Sequence, residues 1–180
     1  MTSQANITAD SPENTLENVQ AKPNKPTSAK TKSTEKQPLA VVNTLIIGAG
    51  FAGLGSAIRL KQSGLNDIVI LERGSQVGGT WRDNTYPGAA CDIPSNLYSY
   101  SFAQNPNWSR GFSGSSEILE YVHYLVNKFK LNDLIKFNQN VESLNFDEKT
   151  GLWNVLLTNG GFYQARTVIA AGGPLSNFSF

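Results

Sequence analysis

Apolar residues in this chain are grouped, and their spacing changes from segment to segment. The run "AVVNTLII", Ala40 to Ile47, is short and nearly continuous and predicts a strand. Leu54, Ala57, Ile58 and Leu60 follow at helical spacing, and "DIVILERG", Asp67 to Gly74, reads as a second strand. In "SSEILEYVHYLVNKFK", Ser115 to Lys130, the residues Ile118, Leu119, Val122, Leu125, Val126 and Phe129 share one face. A serine starts the segment and lysines fill its last turn, so it predicts an amphipathic helix. Strands are then predicted at Ile135–Asn138, Val141–Phe146, Leu152–Thr158 and Phe162–Arg166. The joins "DEKTG" and "NGG" carry turn chemistry, which makes a small antiparallel meander. After it "TVIAAGG", Thr167 to Gly173, reads as a buried strand leading into small residues. One stretch obeys neither period: "GGTWRDNTYPGAACDIPSNLYSYSF", Gly78 to Phe102, is too irregular for a helix and too broken for a long strand.

Composition changes this picture mainly at the start. From Met1 to about Pro38 there is no aromatic residue, and Ser, Thr, Asn, Gln, Lys and Pro dominate. So little apolar area cannot offset chain entropy. Residues 1–39 are therefore expected to be a disordered arm, with residues 40–180 forming the folded domain. The arm lacks the apolar core of a signal peptide, and no segment approaches the roughly 20 apolar residues of a membrane span, so a cytoplasmic protein without stable membrane insertion is expected. A net charge of +1 without a basic, aromatic-interleaved stripe argues against a nucleic-acid partner. Cys91 is the single cysteine, which excludes an internal disulfide, a Cys-x-x-Cys pair and a cysteine-rich zinc site. No metal site is expected, and redox chemistry must come from a bound cofactor.

Candidate chemistry begins with "GAGFAG", where Gly48, Gly50 and Gly53 form G-x-G-x-x-G between a strand and a helix. Gly48 permits a tight turn, Gly50 allows backbone to approach a pyrophosphate, and Gly53 allows helix and strand to pack closely. The helix that starts at Phe51 and Ala52 directs unpaired N–H groups at the anion. Glu72 closes the next strand 19 positions beyond Gly53, where an acid can accept hydrogen bonds from ribose hydroxyls and disfavours a 2′-phosphate. The alternative for Glu72 is a solvated strand end. These elements predict an α/β, Rossmann-like domain: a parallel sheet with helices, plus the small meander. They do not separate NAD from FAD.

Further motifs make a resemblance. The pair Gly78–Gly79 resembles the FAD signature of flavoproteins with two dinucleotide domains. "GxGxxG", "ER", "GGTW", "YPGAACDIPS", "YSYSF" and "WSRGFS", in this order, resemble the FAD domain of class B flavin-dependent monooxygenases. The similarity is greatest to type I Baeyer–Villiger monooxygenases, including the hydroxyacetophenone monooxygenase-like group, and spans about Val41 to Pro174. The resemblance implies an FAD-binding domain in which Gly48, Gly50, Phe51, Ala52, Gly53, Glu72, Arg73, Gly79, Thr80, Trp81, Asp92, Ile93, Tyr98, Val141, Ala171 and Gly172 contact the cofactor. It implies that Gly78 to Phe102 lies along the flavin, with Trp81 and Tyr86 excluding water, and that Val141 offers main-chain atoms to adenine. Asp92 is implied as the catalytic residue, pairing with an arginine of an NADPH domain and stabilising charge around a C4a-peroxyflavin; its alternative is a turn aspartate that caps nearby amides.

Other readings stay open. Tyr98, Tyr100 and Phe102 alternate, as either a strand's core face or a pocket lining. Cys91 reads as a packing residue, and His123 as a surface or scaffold histidine. Arg82, Asp83 and Ala90 depart from many family members, which bears on substrate class. The implied activity is NADPH-dependent monooxygenation using O2, either oxygen insertion next to a ketone or oxidation of a soft sulfur or nitrogen nucleophile. The alternatives are another FAD-dependent oxidoreductase and a catalytically inactive FAD-binding fragment. A second G-x-G-x-x-G and the fingerprint F-x-G-x-x-x-H-x-x-x-W-P are not in the sequence. A truncated domain without its NADPH partner is therefore expected, and the 180-residue chain alone should not oxidise NADPH in a spectrophotometric assay.

Overall fold

Residues 36–173 are described by a computed structural model. Of the disordered arm expected for residues 1–39, residues 1–35 lie outside the described residues. Leu39 N–H donates to the Phe162 carbonyl at 2.8 Å, tying the chain to the sheet just before the first strand.

The first strand, β1 (Val41–Ile47), leads into α1 (Phe51–Gln62) and then β2 (Ile68–Leu71). A one-turn helix, α2 (Thr80–Asp83), interrupts the irregular stretch, and α3 (Ser115–Lys128) follows it. Strands β3 (Ile135–Lys136), β4 (Val141–Asp147), β5 (Leu152–Leu157) and β6 (Phe162–Ala170) complete a six-stranded sheet of order β3-β2-β1-β6-β5-β4. β1 runs parallel to both β2 and β6, whereas β5 is antiparallel to β6 and β4.

Two expectations about the strands are corrected. The meander strand ending at Arg166 and the buried strand starting at Thr167 are one continuous β6. Its early residues pair with β5 (Leu156↔Phe162 to Trp153↔Ala165), and Gln164 to Ala170 pair with β1. "FYQARTVIA" contains no Gly or Pro, so nothing in it obliges the chain to break where its partner changes. Ile135–Lys136 is not part of the meander either; it lies parallel to β2 at the opposite edge (Ile70↔Ile135). Asn138, with φ 56°, turns the chain away from that edge.

α3 also stops short of the expected Lys130. Lys130 adopts φ 51°, and Leu131 N–H reaches back to the Val126 carbonyl at 2.9 Å, closing the helix in a left-handed cap. Its N-cap is Gly114, without a side-chain cap. The Glu117 carboxylate in the first turn instead accepts from Ser109 N–H at 2.7 Å and Ser109 Oγ at 3.0 Å, tying the preceding loop to the helix.

Apolar packing falls into two clusters that meet through β1. Leu54, Ala57 and Ile58 of α1 and Tyr121, Val122, Leu125 and Val126 of α3 pack with Ile46, Ile68 and Ile70. Leu45, Ile47 and Leu71 pack with Val155, Leu157, Tyr163 and Ala165. A parallel strand covered on both sides needs a nearly unbroken apolar run, which β1 has. Leu125 is fully buried in the first cluster, so Leu125→Ala is expected to cost about 2–5 kcal/mol in urea unfolding, with the denaturant slope unchanged.

Candidate dinucleotide site

The candidate site begins where β1 ends. Gly48 has φ 102°, and a Cβ there would lie 2.6 Å from the Ala171 carbonyl oxygen. The residues just after β6 therefore sit directly on this turn, where Ala171 N–H donates to the Ile47 carbonyl at 2.9 Å and Gly172 follows. A Cβ on Gly53 would overlap the Gly48 carbonyl oxygen and approach Ile46 Cγ2 at 3.3 Å, so this glycine permits the close seating of α1 against β1. Gly50 differs, because a Cβ there would meet only Gly79 Cα, at 3.7 Å. Gly79, with φ 53°, faces it from the Gly78–Gly79 turn. Two stretches of bare backbone thus oppose one another. Gly50 is also the N-cap of α1 and, as N1 to N3, Phe51, Ala52 and Gly53 have amides without intrahelical acceptors.

Glu72 lies beside this turn and is 3% exposed, which excludes the solvated strand end. Its Oε2 accepts from Ala49 N–H at 2.8 Å, and its Oε1 accepts from Gly74 N–H and Arg82 Nη1, both at 2.7 Å. Arg82 also donates through Nη1 to the Gln76 carbonyl at 2.7 Å and through Nε to Asp83 Oδ1 at 2.8 Å. The Asp83 hydrogen bond, opposed by burial and aided by Glu72, holds the guanidinium above its ordinary pKa. The Arg82 hydrogen bond chiefly holds the Asp83 carboxyl below its own. Arg73 is exposed and reaches Asp83 at 3.4 Å. A Cβ on Gly74 would overlap the Arg82 guanidinium, so the glycine after "ER" gives that cation its path. Sequence reasoning passed over the Glu72–Arg82 pair, because a separation of 10 residues across an irregular loop fixes no contact.

The irregular stretch divides into two aromatic groups. Trp81 Nε1–H donates to the Tyr98 hydroxyl at 3.0 Å, their rings stand edge-on at 5.4 Å, and Tyr98 lies 5.2 Å from Phe51. Burial pushes the Tyr98 phenol above its ordinary pKa; the Trp81 bond opposes this and the charge of Asp92 adds to it. Tyr100 instead stacks on Phe102 at 4.8 Å against the core, donates to the Phe51 carbonyl, and offers its N–H to the Tyr121 hydroxyl at 3.0 Å. Tyr121 passes its own proton to the Ala103 carbonyl at 2.6 Å. The expected alternation is broken by a bend at Tyr98–Ser99 and a turn closed by the Tyr100–Ala103 bridge. Tyr86, expected beside Trp81 as a water shield, is 63% exposed.

Asp92 sits on a segment held to the loop before α3. Cys91 N–H donates to the Ser113 carbonyl at 3.0 Å, Ser95 N–H to the Gly111 carbonyl at 2.8 Å, and the buried hydroxyls of Ser95 and Ser113 meet at 2.7 Å. The Asp92 side chain is exposed and, among the described residues, makes no hydrogen bond or ion pair; it caps no amide. Ile93 is 44% exposed and Thr80 is exposed, whereas Cys91 is a buried free thiol and His123 is exposed on α3. Val141 starts β4 opposite Leu157. It comes two residues after Gln139, whose N–H bonds the Glu72 carbonyl at 2.9 Å, so β4 sets out from beside the acid. Among the described residues no group of His, Cys, Asp and Glu suits a metal ion, and no helix is long and apolar enough to cross a membrane.

A family profile described as pyridine nucleotide-disulphide oxidoreductase matches residues 45–178. A Baeyer-Villiger monooxygenase of Streptomyces coelicolor is 46% identical over 136 residues, covering 76% of this chain and 26% of its own. One of Pseudomonas aeruginosa is 42% identical over 146 residues, covering 80% and 28%. Among solved structures, an oxidised steroid monooxygenase bound to NADP aligns with TM-score 0.72 at 38% identity, over 78% of this chain and 27% of that one. A closed cyclohexanone monooxygenase aligns with TM-score 0.72 at 36% identity over the same shares. The chain thus spans about a quarter of the length of these curated relatives.

The Tyr121 hydroxyl serves two main-chain groups at once. Tyr121→Phe is expected to cost about 1–3 kcal/mol in chemical denaturation and to speed amide exchange selectively at Tyr100.

Proposed function

The chain belongs to the pyridine nucleotide-disulphide oxidoreductase family, and from that premise we propose that it binds FAD as the flavin-holding part of an NADPH-dependent monooxygenase. One observation carries the reading: a buried acid with an acceptor site to spare stands beside a glycine turn whose second glycine opens onto bare backbone. A carboxylate offers about four lone-pair sites, and protein donors take three of those on Glu72. The remaining site suits a ribose hydroxyl. The amides of Phe51, Ala52 and Gly53, at the positive end of α1, suit a pyrophosphate.

On this reading Gly48, Gly50 and Gly53 shape the pyrophosphate loop, Glu72 and Arg73 lie on the ribose side, and Val141 gives main-chain atoms to adenine. Gly79, Thr80, Trp81, Ile93, Tyr98, Ala171 and Gly172 line the flavin. The bound flavin supplies what no side chain here offers, two-electron reduction by NADPH and activation of O2. The residues contribute enclosure and charge: Trp81 and Tyr98 exclude water through a paired, half-buried surface. Asp92 is the proposed catalytic residue, an exposed carboxylate available to a cation beyond the described residues. For the whole protein we propose oxygen insertion next to a ketone, in keeping with the cyclohexanone monooxygenase neighbours. Oxidation of a soft sulfur or nitrogen nucleophile is the second chemistry of the same site. The free thiol of Cys91 fits a cytoplasmic setting.

Titrating the purified chain with FAD, followed by flavin fluorescence and visible absorbance, tests the reading; the expected result is saturable binding of one FAD, and no binding would end it. Gly50→Ala separates binding from folding. Because a Cβ there meets only Gly79 Cα, stability should stay within about 1 kcal/mol in a denaturant melt while FAD affinity falls.

A further inference from the structure

Arg82 reaches three groups around the candidate ribose acid: Glu72, the Gln76 carbonyl and Asp83. Its guanidinium is 11% exposed and the Glu72 side chain 4% exposed, so their 2.7 Å contact is a buried ion pair. Gly74 N–H and Arg82 fill both acceptor sites of Oε1, whereas Oε2 carries only Ala49 N–H, from the glycine turn itself. The one site left is therefore on the oxygen nearest the turn. The same guanidinium holds the Gln76 carbonyl and forks onto Asp83, spanning the loop that carries Gly79.

We propose that Arg82 is a positioning residue for the dinucleotide: it fills the second acceptor site of Oε1 and fixes the orientation of the carboxylate, so that a single ribose hydroxyl is received on Oε2. The proposal rests on the FAD reading above. It differs from a purely structural role in one respect. Without Arg82 an acceptor site on Oε1 opens and the carboxylate loses the bond that fixes its orientation, so a ribose hydroxyl is no longer steered to Oε2. Arg82 thus sets how strongly the site distinguishes a ribose from a deoxyribose, as well as how tightly the loop is closed.

The test measures dissociation constants, by flavin fluorescence, for FAD and for FAD whose adenosine ribose lacks the 2′-hydroxyl. The unmodified chain is expected to prefer FAD by about ten-fold or more, as a hydrogen bond to a charged acceptor should give. In Arg82→Gln the preference should fall several-fold, and in Arg82→Lys it should be partly restored, since an ammonium can donate to Oε1 but cannot serve Glu72, Gln76 and Asp83 together. If both variants weaken the two ligands equally and keep the ratio, Arg82 only braces the loop and the proposal is overturned. Should Arg82→Gln not fold, the ratio in Arg82→Lys decides, and an unchanged ratio there overturns it as well. Glu72→Gln separates the two readings. Loss of the ratio in that variant alone refutes the Arg82 proposal and leaves the ribose reading standing. An unmodified chain that binds FAD without preferring ribose, unaltered by Glu72→Gln, refutes the ribose reading and with it the role of Arg82.

Discussion

A carboxylate inside a protein must be paired and hydrogen-bonded, because an unpaired charge there is too costly to keep. Glu72 meets that demand with donors from three places in the chain: the glycine turn after β1, the residue two beyond itself, and the first turn of α2. Its own main chain takes part too, since its N–H bonds the Lys136 carbonyl and its carbonyl accepts from Gln139. Ala49, Gly74, Arg82, Lys136 and Gln139 are therefore all held about a single residue. The path of the loop to Gly79, the place where β4 begins, and the open acceptor beside Ala49 all follow from satisfying this one buried charge.

The glycines of the turn do different work, and the space each leaves shows which. Gly48 and Gly53 relieve contacts within the protein, against Ala171, Ile46 and each other. Gly50 and Gly79 face only each other, a Cβ on one meeting the Cα of the other at 3.7 and 3.2 Å, and so leave two backbones opposed. A motif that looks uniform as G-x-G-x-x-G is, physically, two packing glycines and one that leaves room for something else.

Local elements were legible in the sequence because local rules govern them. Periodicity and glycine placement suffice for β1, its turn, α1 and β2, and the apolar face of α3 reads directly from its spacing. Long-range facts were not legible. β6 exchanges one sheet partner for another within nine residues, with no change in composition to mark the switch. Tyr98 and Tyr100 lie two apart, as one face of a strand would require, and both meet Phe51, but the short bridge between Tyr100 and Ala103 bends the chain so that Tyr98 also takes Trp81 and Tyr100 takes Phe102 and Tyr121. The Glu72–Arg82 pair depends on how an irregular loop folds back, which no periodicity encodes. Asp92 is exposed for a related reason: the hydrogen bonds that fix its segment belong to the main chain and serines on either side of it.

β1 and β6 are neighbours at the centre of the sheet, yet Val41 pairs with Gln164 and Ile47 with Ala170, at opposite ends of the described chain. During synthesis β1 leaves the ribosome before β2 to β5, and its other central partner, β6, only after them. α1 and β2 can dock on it early, but one edge of β1 stays bare until β6 appears. Assembly of the central sheet is thus a late, high-contact-order event, and the interval before it exposes "VVNTLII" to strand pairing with other chains.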